Sequence, residues 1–247
     1  MTVFSSPEQL SEIRNILANY IRLPFSHDTI PGAIMEAVLA HIHEAKVLNT
    51  YDFADVIKTS KKCGWQIKST KASTPVTWKR AKIPNQLELM KVSEKSKDGL
   101  QTLGDAIIKF CNDHAAESLR IYNLDSIGYS RLVIHPNRQV TYFEKLLCTR
   151  DNPLIFKGSD FVWRWSVQKN TKKKEQLPAL HGFKKSSGKK LWAWHGRGEN
   201  QLHFSGESEW WPQPDDKHSI SFILPSPEEK MSLEGFMDLL SRVESPI

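Results

Sequence analysis

The hydrophobic positions change period several times along the chain, and each change marks an element. Residues 6–22 open on Ser6-Pro7-Glu8, a capping serine with proline in the first turn. Leu10, Ile13, Leu17, Tyr20 and Ile21 then recur at helical spacing. A second helix is predicted over 31–47, with Ile34, Val38, Leu39, Ile42 and Val47 on one stripe. From Tyr51 the period shortens. Residues 53–57 read as a short strand, 58–64 as a polar turn, and WQIKST at 65–70 alternates as a half-buried strand does. The stretch 72–84, rich in Ser, Thr, Pro and basic residues, reads as an ordered loop. A long helix is predicted over 97–119, burying Leu100, Leu103, Ile107, Ile108 and Cys111. Residues 120–124 and 129–135 read as strands, and 140–147 as a further strand or a short helix.

Beyond Asn152 the character changes. This part holds six of the eight tryptophans, and its apolar runs are short: FVWRWSVQ, KKLWAWHGRG, NQLHFSGE and HSISFILP. Short runs with long polar connections predict an antiparallel sheet. A closing amphipathic helix is predicted over 232–243. The pattern as a whole predicts a mixed α/β (α+β) fold, a central sheet flanked by the helices at 32–47 and 98–119, with a β-rich C-terminal lobe. The division is 1–150 for a core and 151–247 for the lobe, either as two units or as one continuous domain.

Composition narrows this picture. Hydrophobic residues make up 39% and charged residues 25% of the 247, which suits a globular chain with a real core. No apolar run reaches the roughly 20 residues a bilayer requires, and MTVFSSPEQL lacks the basic-then-apolar layout of a signal peptide. Cys63, Cys111 and Cys148 have no metal-ligand spacing. They read as reduced thiols, so the expectation is a cytoplasmic protein with no membrane partner and no zinc site. The net charge of +6 is unevenly placed. Residues 58–82 carry eight Lys/Arg and no acid, and 157–197 carry eleven against Asp160 and Glu175, so the remainder is net negative. A basic cleft on an acidic body attracts polyanions through phosphate contacts and counterion release.

The candidate chemistry lies in Glu36, Asp55, Gln66 and Lys68. The helix carrying Glu36 precedes the strand carrying Asp55, and a turn leads to a strand where Gln66 and Lys68, two apart, face the same side. Phosphodiester hydrolysis uses such a set: oxygen ligands for a hard cation, and a lysine that orients water and offsets transition-state charge. Asp52 competes with Asp55 for the ligand role. Behind the set, Ser69, Thr70, Lys71, Lys79, Arg80 and Lys82 form a hydroxyl-and-cation run suited to phosphate oxygens, with Trp78 read as a packing anchor. In HGRGENQ (195–201), His195, Arg197, Asn200 and Gln201 are side chains that read base edges, or else parts of a plain hairpin turn. Lys173, within a lysine triplet, is a candidate phosphate contact.

These residues resemble the nuclease superfamily whose motif is PD…(D/E)xK, and within it the type II restriction endonucleases. The first half reads Ala54-Asp55 and the second Gln66-Ile67-Lys68, with ten residues between Asp55 and Gln66. Pro31-Gly32 followed by Glu36 resembles the G-x-x-x-E helix of many members. The resemblance covers roughly residues 30 to 110. It implies a restriction-endonuclease-like core, Mg²⁺ as cofactor, and Asp55, Gln66, Glu36 and the Ile67 backbone carbonyl as metal ligands. It also implies double-stranded DNA as substrate, a cognate DNA methyltransferase in the same cell, and a monomeric or homodimeric enzyme. Two positions depart from the pattern. Ala54 replaces proline, and Gln66 replaces the second acid, so Asp55, Glu36 and the scissile phosphate carry more of the cation's charge. Three function classes fit: a sequence-specific endonuclease, a repair or nicking nuclease with the same core, and a basic DNA-binding protein that cuts nothing.

Overall fold

The computed structural model describes residues 4–48, 52–170, 175–213 and 216–242. The first helix, α1 (Pro7–Ile21), begins with a full capping box. The Ser6 hydroxyl accepts from the Gln9 amide, and the Gln9 side chain accepts from the Ser6 amide, which satisfies two of the helix's unpaired N–H groups. Its buried stripe is Leu10, Ile13, Leu17 and Ile21. α2 (Gly32–His43) stops short of the predicted end at 47. Glu44 takes the left-handed conformation at φ 48°, which ends a helix, and the chain turns into β1 (Lys46–Val47).

β2 (Val56–Lys58) follows, then β3 (Cys63–Lys71). Phe53, Ala54 and Asp55 precede β2 rather than belonging to it, yet the Asp55 amide donates to the Trp65 carbonyl at 2.8 Å and so prolongs the ladder. β4 (Val76–Arg80) corrects the reading of 72–84 as a loop. Val76 and Trp78 are both fully buried there, because the strand finds its partner more than a hundred residues later. α3 (Gln86–Ser93) was not anticipated: its one buried residue is Ser93, so no apolar stripe announces it. α4 (Lys97–Ile121) corrects the strand expected over 120–124. Arg120 and Ile121 complete its last turn, and Asn123 at φ 52° reverses the chain. β5 (Ser126–Ile134) and β6 (Gln139–Thr149) form a long hairpin, which settles 140–147 as strand.

The remaining elements are β7 (Phe161–Trp165), β8 (Lys169–Asn170), β9 (Glu175–Gln176), β10 (Leu180–Lys184), β11 (Lys190–Trp194), β12 (Gln201–Phe204), β13 (Ser219–Ile223) and α5 (Leu233–Ser241). α5 starts at its predicted cap, Ser232, whose hydroxyl accepts from the Gly235 amide.

The described residues thus form a mixed α+β fold with two main sheets. The first has the order β1-β2-β3-β5-β6-β13, with β3 and β5 parallel and its other pairs antiparallel. The parallel pair is bridged by α4, as a parallel connection requires. The second sheet, β4-β12-β11-β10-β7, is antiparallel throughout. The sheets exchange strands across the division at 150: β4 joins the second and β13 the first.

Alternation along β3 explains the layers. Cys63, Trp65 and Ile67 pack with α1 and α2 into one core. The opposite face of the sheet packs with α4 and the inner face of the second sheet into another. There Trp78 lies against Phe53, Tyr129, Phe156, Trp192, Phe204 and Trp210 with ring centroids 5.3–6.1 Å apart, the spacing at which edge-to-face pairs attract. Gly104 in α4 makes room for Trp163; a Cβ at 104 would fall 2.1 Å from the indole nitrogen.

Candidate active site

The group predicted to carry chemistry sits where the α2 lead-in, the start of β2 and the middle of β3 converge. Two backbone contacts fix Asp55 against β3. Its amide donates to the Trp65 carbonyl at 2.8 Å, and its Oδ2 accepts from the Ile67 amide at 2.6 Å. Asp55 therefore brackets Gln66 on the adjacent strand. Ile67, whose own side chain points to the α1–α2 core, contributes its amide to hold this carboxylate. Gln66 and Lys68 face the other way, toward α4 and the second sheet, as their spacing predicts.

Glu36 reaches the same place from α2. Gly32 lies one turn earlier, where a Cβ would make only an ordinary contact, 3.8 Å from Glu36 Oε1. α2 is itself anchored at its far end. His43 stacks on Trp65 at 4.5 Å and contacts Ser5 Oγ at 3.1 Å, while Ser5 donates to Glu144 through both its amide and its hydroxyl. Burial, aided by Lys58 and Lys61, holds His43 down to about 4, so it stays neutral.

Charges in the group act on one another. Burial pushes the Asp55 carboxyl above its ordinary range, against the pull of Lys68, the Ile67 amide and Lys79. Glu36 is also raised, by burial and by Asp55, with Lys68 opposing. Two carboxylates in a partly desolvated place, with cations beside them, make a site whose own charges are poorly solvated. Gln66 adds to this. It is 2% exposed, and its Nε2 donates to the Trp78 carbonyl at 3.5 Å, but its Oε1 has no hydrogen-bond partner among the described residues. A buried acceptor left unsatisfied costs about 1–3 kcal/mol and calls for a ligand, ion or water. Two carboxylates and an unsatisfied amide oxygen are hard oxygen donors of the kind Mg²⁺ takes. Among the described residues no cluster of three or more His, Cys, Asp or Glu forms.

Asp52, the rival to Asp55, receives the Tyr122 hydroxyl. The run behind the motif divides. Ser69 turns to the opposite face and donates to the Ile30 carbonyl at 2.5 Å. Thr70 accepts from the buried Arg131 at 2.8 Å. Lys71, Arg80 and Lys82 are exposed, and Lys79 is half-buried. Trp78 is a packing residue, 1% exposed.

The 195–201 turn joins β11 to β12 and is tied to α3 and the end of β4. Arg197 donates to Glu94 and lies over the Trp165 ring at 5.0 Å. Asn200, left-handed at φ 57°, accepts from Gln86 Nε2 at 2.7 Å, and its carbonyl accepts from the Ala81 amide at 2.7 Å. Gln201 donates to Glu199 at 2.8 Å, and the His195 ring meets that of His203 at 5.1 Å. Lys173 lies outside the described residues.

Sequence reasoning missed the inward placement of Lys79, grouping it with Arg80 and Lys82. The β4–β12 register that sets it cannot be read from the local sequence. No described helix is long and apolar enough to cross a membrane. Comparison with protein-family models, curated proteins and solved structures finds no match to this chain.

Proposed function

We propose that the chain is a Mg²⁺-dependent endonuclease of the PD…(D/E)xK type acting on double-stranded DNA, in the manner of a type II restriction enzyme. One observation carries the reading. Glu36, Asp55 and Lys68, from three parts of the chain, act on one another electrostatically, and Gln66, between the two β3 residues that bond to Asp55, carries a buried amide oxygen with no hydrogen-bond partner among the described residues. A mixed sheet with α1 and α2 on one face and α4 on the other is compatible with a restriction-endonuclease-like core.

Asp55, Glu36, Gln66 Oε1 and the Ile67 carbonyl would hold the cation. A cation held there would supply Lewis-acid chemistry at the scissile phosphate and acidify the attacking water. Lys68, on the same face of β3 as Gln66, orients the attacking water and offsets the charge that grows on the phosphate oxygens. The water oxygen forms the new P–O bond, one ester P–O bond breaks, and the departing oxygen takes up a proton. Exposed Lys71, Arg80 and Lys82 bind backbone phosphates without reading sequence.

Incubating plasmid and phage DNA with the protein in Mg²⁺, and separately in Ca²⁺, tests this. Discrete fragments in Mg²⁺, lost in Lys68→Ala while DNA affinity in Ca²⁺ is retained, are expected. Nicked circles alone point to a nicking enzyme. Affinity without any cleavage rejects the catalytic reading.

A further inference from the structure

Strict alternation along β4 would place Val76 and Trp78 inward and send Thr77 and Lys79 outward. The pairing with β12 breaks that alternation. Val76 stands opposite Phe204, and Thr77 opposite His203. The register then shifts, so that Lys79 stands opposite Leu202 and Arg80 opposite Gln201. Trp78 is the extra residue of a β-bulge, a device that re-aims side chains. Residues directly opposite one another share a face, and Leu202 is fully buried on the inner face. Lys79 therefore turns inward, toward the first sheet, and Arg80 turns out to solvent. Exposure agrees: Lys79 is half-buried and Arg80 exposed.

The inward direction leads to the candidate active site. Trp78, immediately before Lys79, supplies the carbonyl to which Gln66 donates. Burial holds the Lys79 ammonium's pKa below its ordinary value, against Cys111 on α4, Asp52 and Asp55 and together with Lys68, and Asp55 in turn feels both lysines. Two ammonium groups, Lys68 and Lys79, thus lie among the carboxylates Glu36, Asp55 and Asp52, and the neutral Gln66 adds no further negative charge to them.

We propose that Lys79 is a second cationic catalytic residue, placed by the β4 bulge to donate to a non-bridging oxygen of the scissile phosphate. The inference rests on reading this site as a nuclease centre. Lys79 keeps its proton throughout; its part is to offset the charge that builds on the phosphoryl oxygens as water adds and the ester bond breaks. A further consequence concerns order of binding. With lysines beside its carboxylates, the free protein holds a divalent cation less tightly than the carboxylates alone would, and the phosphodiester adds negative charge.

The test compares wild type, Lys79→Met, Lys79→Arg, Arg80→Met and Lys68→Ala, each checked by circular dichroism. Single-turnover cleavage in Mg²⁺, DNA affinity in Ca²⁺, and Mn²⁺ binding to the DNA-free protein by calorimetry are measured. Lys79→Met is expected to slow cleavage by about 10²-fold with DNA affinity nearly kept, and to tighten Mn²⁺ binding. Lys79→Arg, which retains the charge, recovers part of the rate. Arg80→Met weakens DNA affinity instead. Wild-type cleavage together with an unslowed Lys79→Met, or with a Lys79→Met defect confined to DNA affinity, overturns this proposal and leaves the nuclease reading standing. Failure of the wild type to cleave any DNA in Mg²⁺ overturns both.

Discussion

The hairpin at 55–68 and the turn at 195–201 carry the same kinds of polar side chains, and the structure treats them in opposite ways. In the turn, Arg197 has Glu94 and the Trp165 ring, Asn200 has Gln86 and the Ala81 amide, and Gln201 has Glu199. At the hairpin, Asp55 and, from α2, Glu36 sit where burial disfavours their charge, and Gln66 Oε1 has no partner among the described residues. Side-chain type indicates what a residue can do, and the state of its partners indicates whether it is available to do it. The turn adds to stability through its satisfied contacts. The hairpin gives stability up, which is the usual condition of a site organised for a ligand.

The comparison breaks most readily at Asp55. Asp55→Ala is expected to lower the cleavage rate on the order of 10³-fold, the largest effect at any single ligand position. Near-normal cutting in this variant would remove the contrast. Asp55→Asn sharpens it through stability. The folded chain holds the Asp55 carboxyl above its ordinary range, so the unfolded chain ionises first as pH rises. Wild type then loses stability through that interval, and the neutral variant does not. Asp55→Asn should therefore be the more stable protein at neutral pH without metal, with a gap that vanishes in acid, as followed by thermal denaturation across pH. Mg²⁺ in large excess should stabilise wild type slightly and leave the variant unmoved.

Gln66 comes next in size. Gln66→Glu should keep or raise Mg²⁺ affinity, because a carboxylate binds this hard cation better than an amide oxygen. Gln66→Ala should lose about tenfold in rate, close to the 1.4 kcal/mol of a lost ligand contact. Equal rates in all three forms would show the amide to be mere packing. The smallest effect belongs to the turn. The Arg197–Glu94 pair is partly exposed, at 35% and 49% of the side chains, so Arg197→Ala should cost under about 1 kcal/mol and leave the fragment pattern as it was. A changed pattern would return the turn to base readout.

Most of the first sheet was legible in the sequence because its signals are local. Ser6 and Pro7 announce α1, the alternation of WQIKST announces β3, and Leu103, Ile107, Ile108 and Cys111 mark the buried face of α4. Glu36, Asp55, Gln66 and Lys68 were recognisable as a set because order and spacing along the chain survive into the fold. What could not be read is non-local. β4 looks like a loop, since Thr77, Lys79 and Arg80 interrupt its apolar positions, and only β12 makes it a strand. Lys79 points inward through a register shift against Leu202, whose cause lies outside any window around residue 79. The strand expected at 120–124 failed for a related reason: packing of Ala115 and Leu119 carries the helix on to Ile121.

The exchange of strands between the sheets sets a timetable for synthesis. A ribosome releases the chain N-terminus first, and pairings between distant segments wait for the later partner. Glu36, Asp55, Gln66 and Lys68 all reside in elements that have emerged once β6 ends at Thr149. The bulge that aims Lys79 forms only when Gln201–Phe204 arrives, and β13 closes the first sheet later still. A nascent chain that has released its first three-fifths thus has all four motif residues out of the ribosome while one of the charges around them has yet to be turned inward. Completion of that electrostatic balance is deferred until about four-fifths of the polypeptide is free to fold.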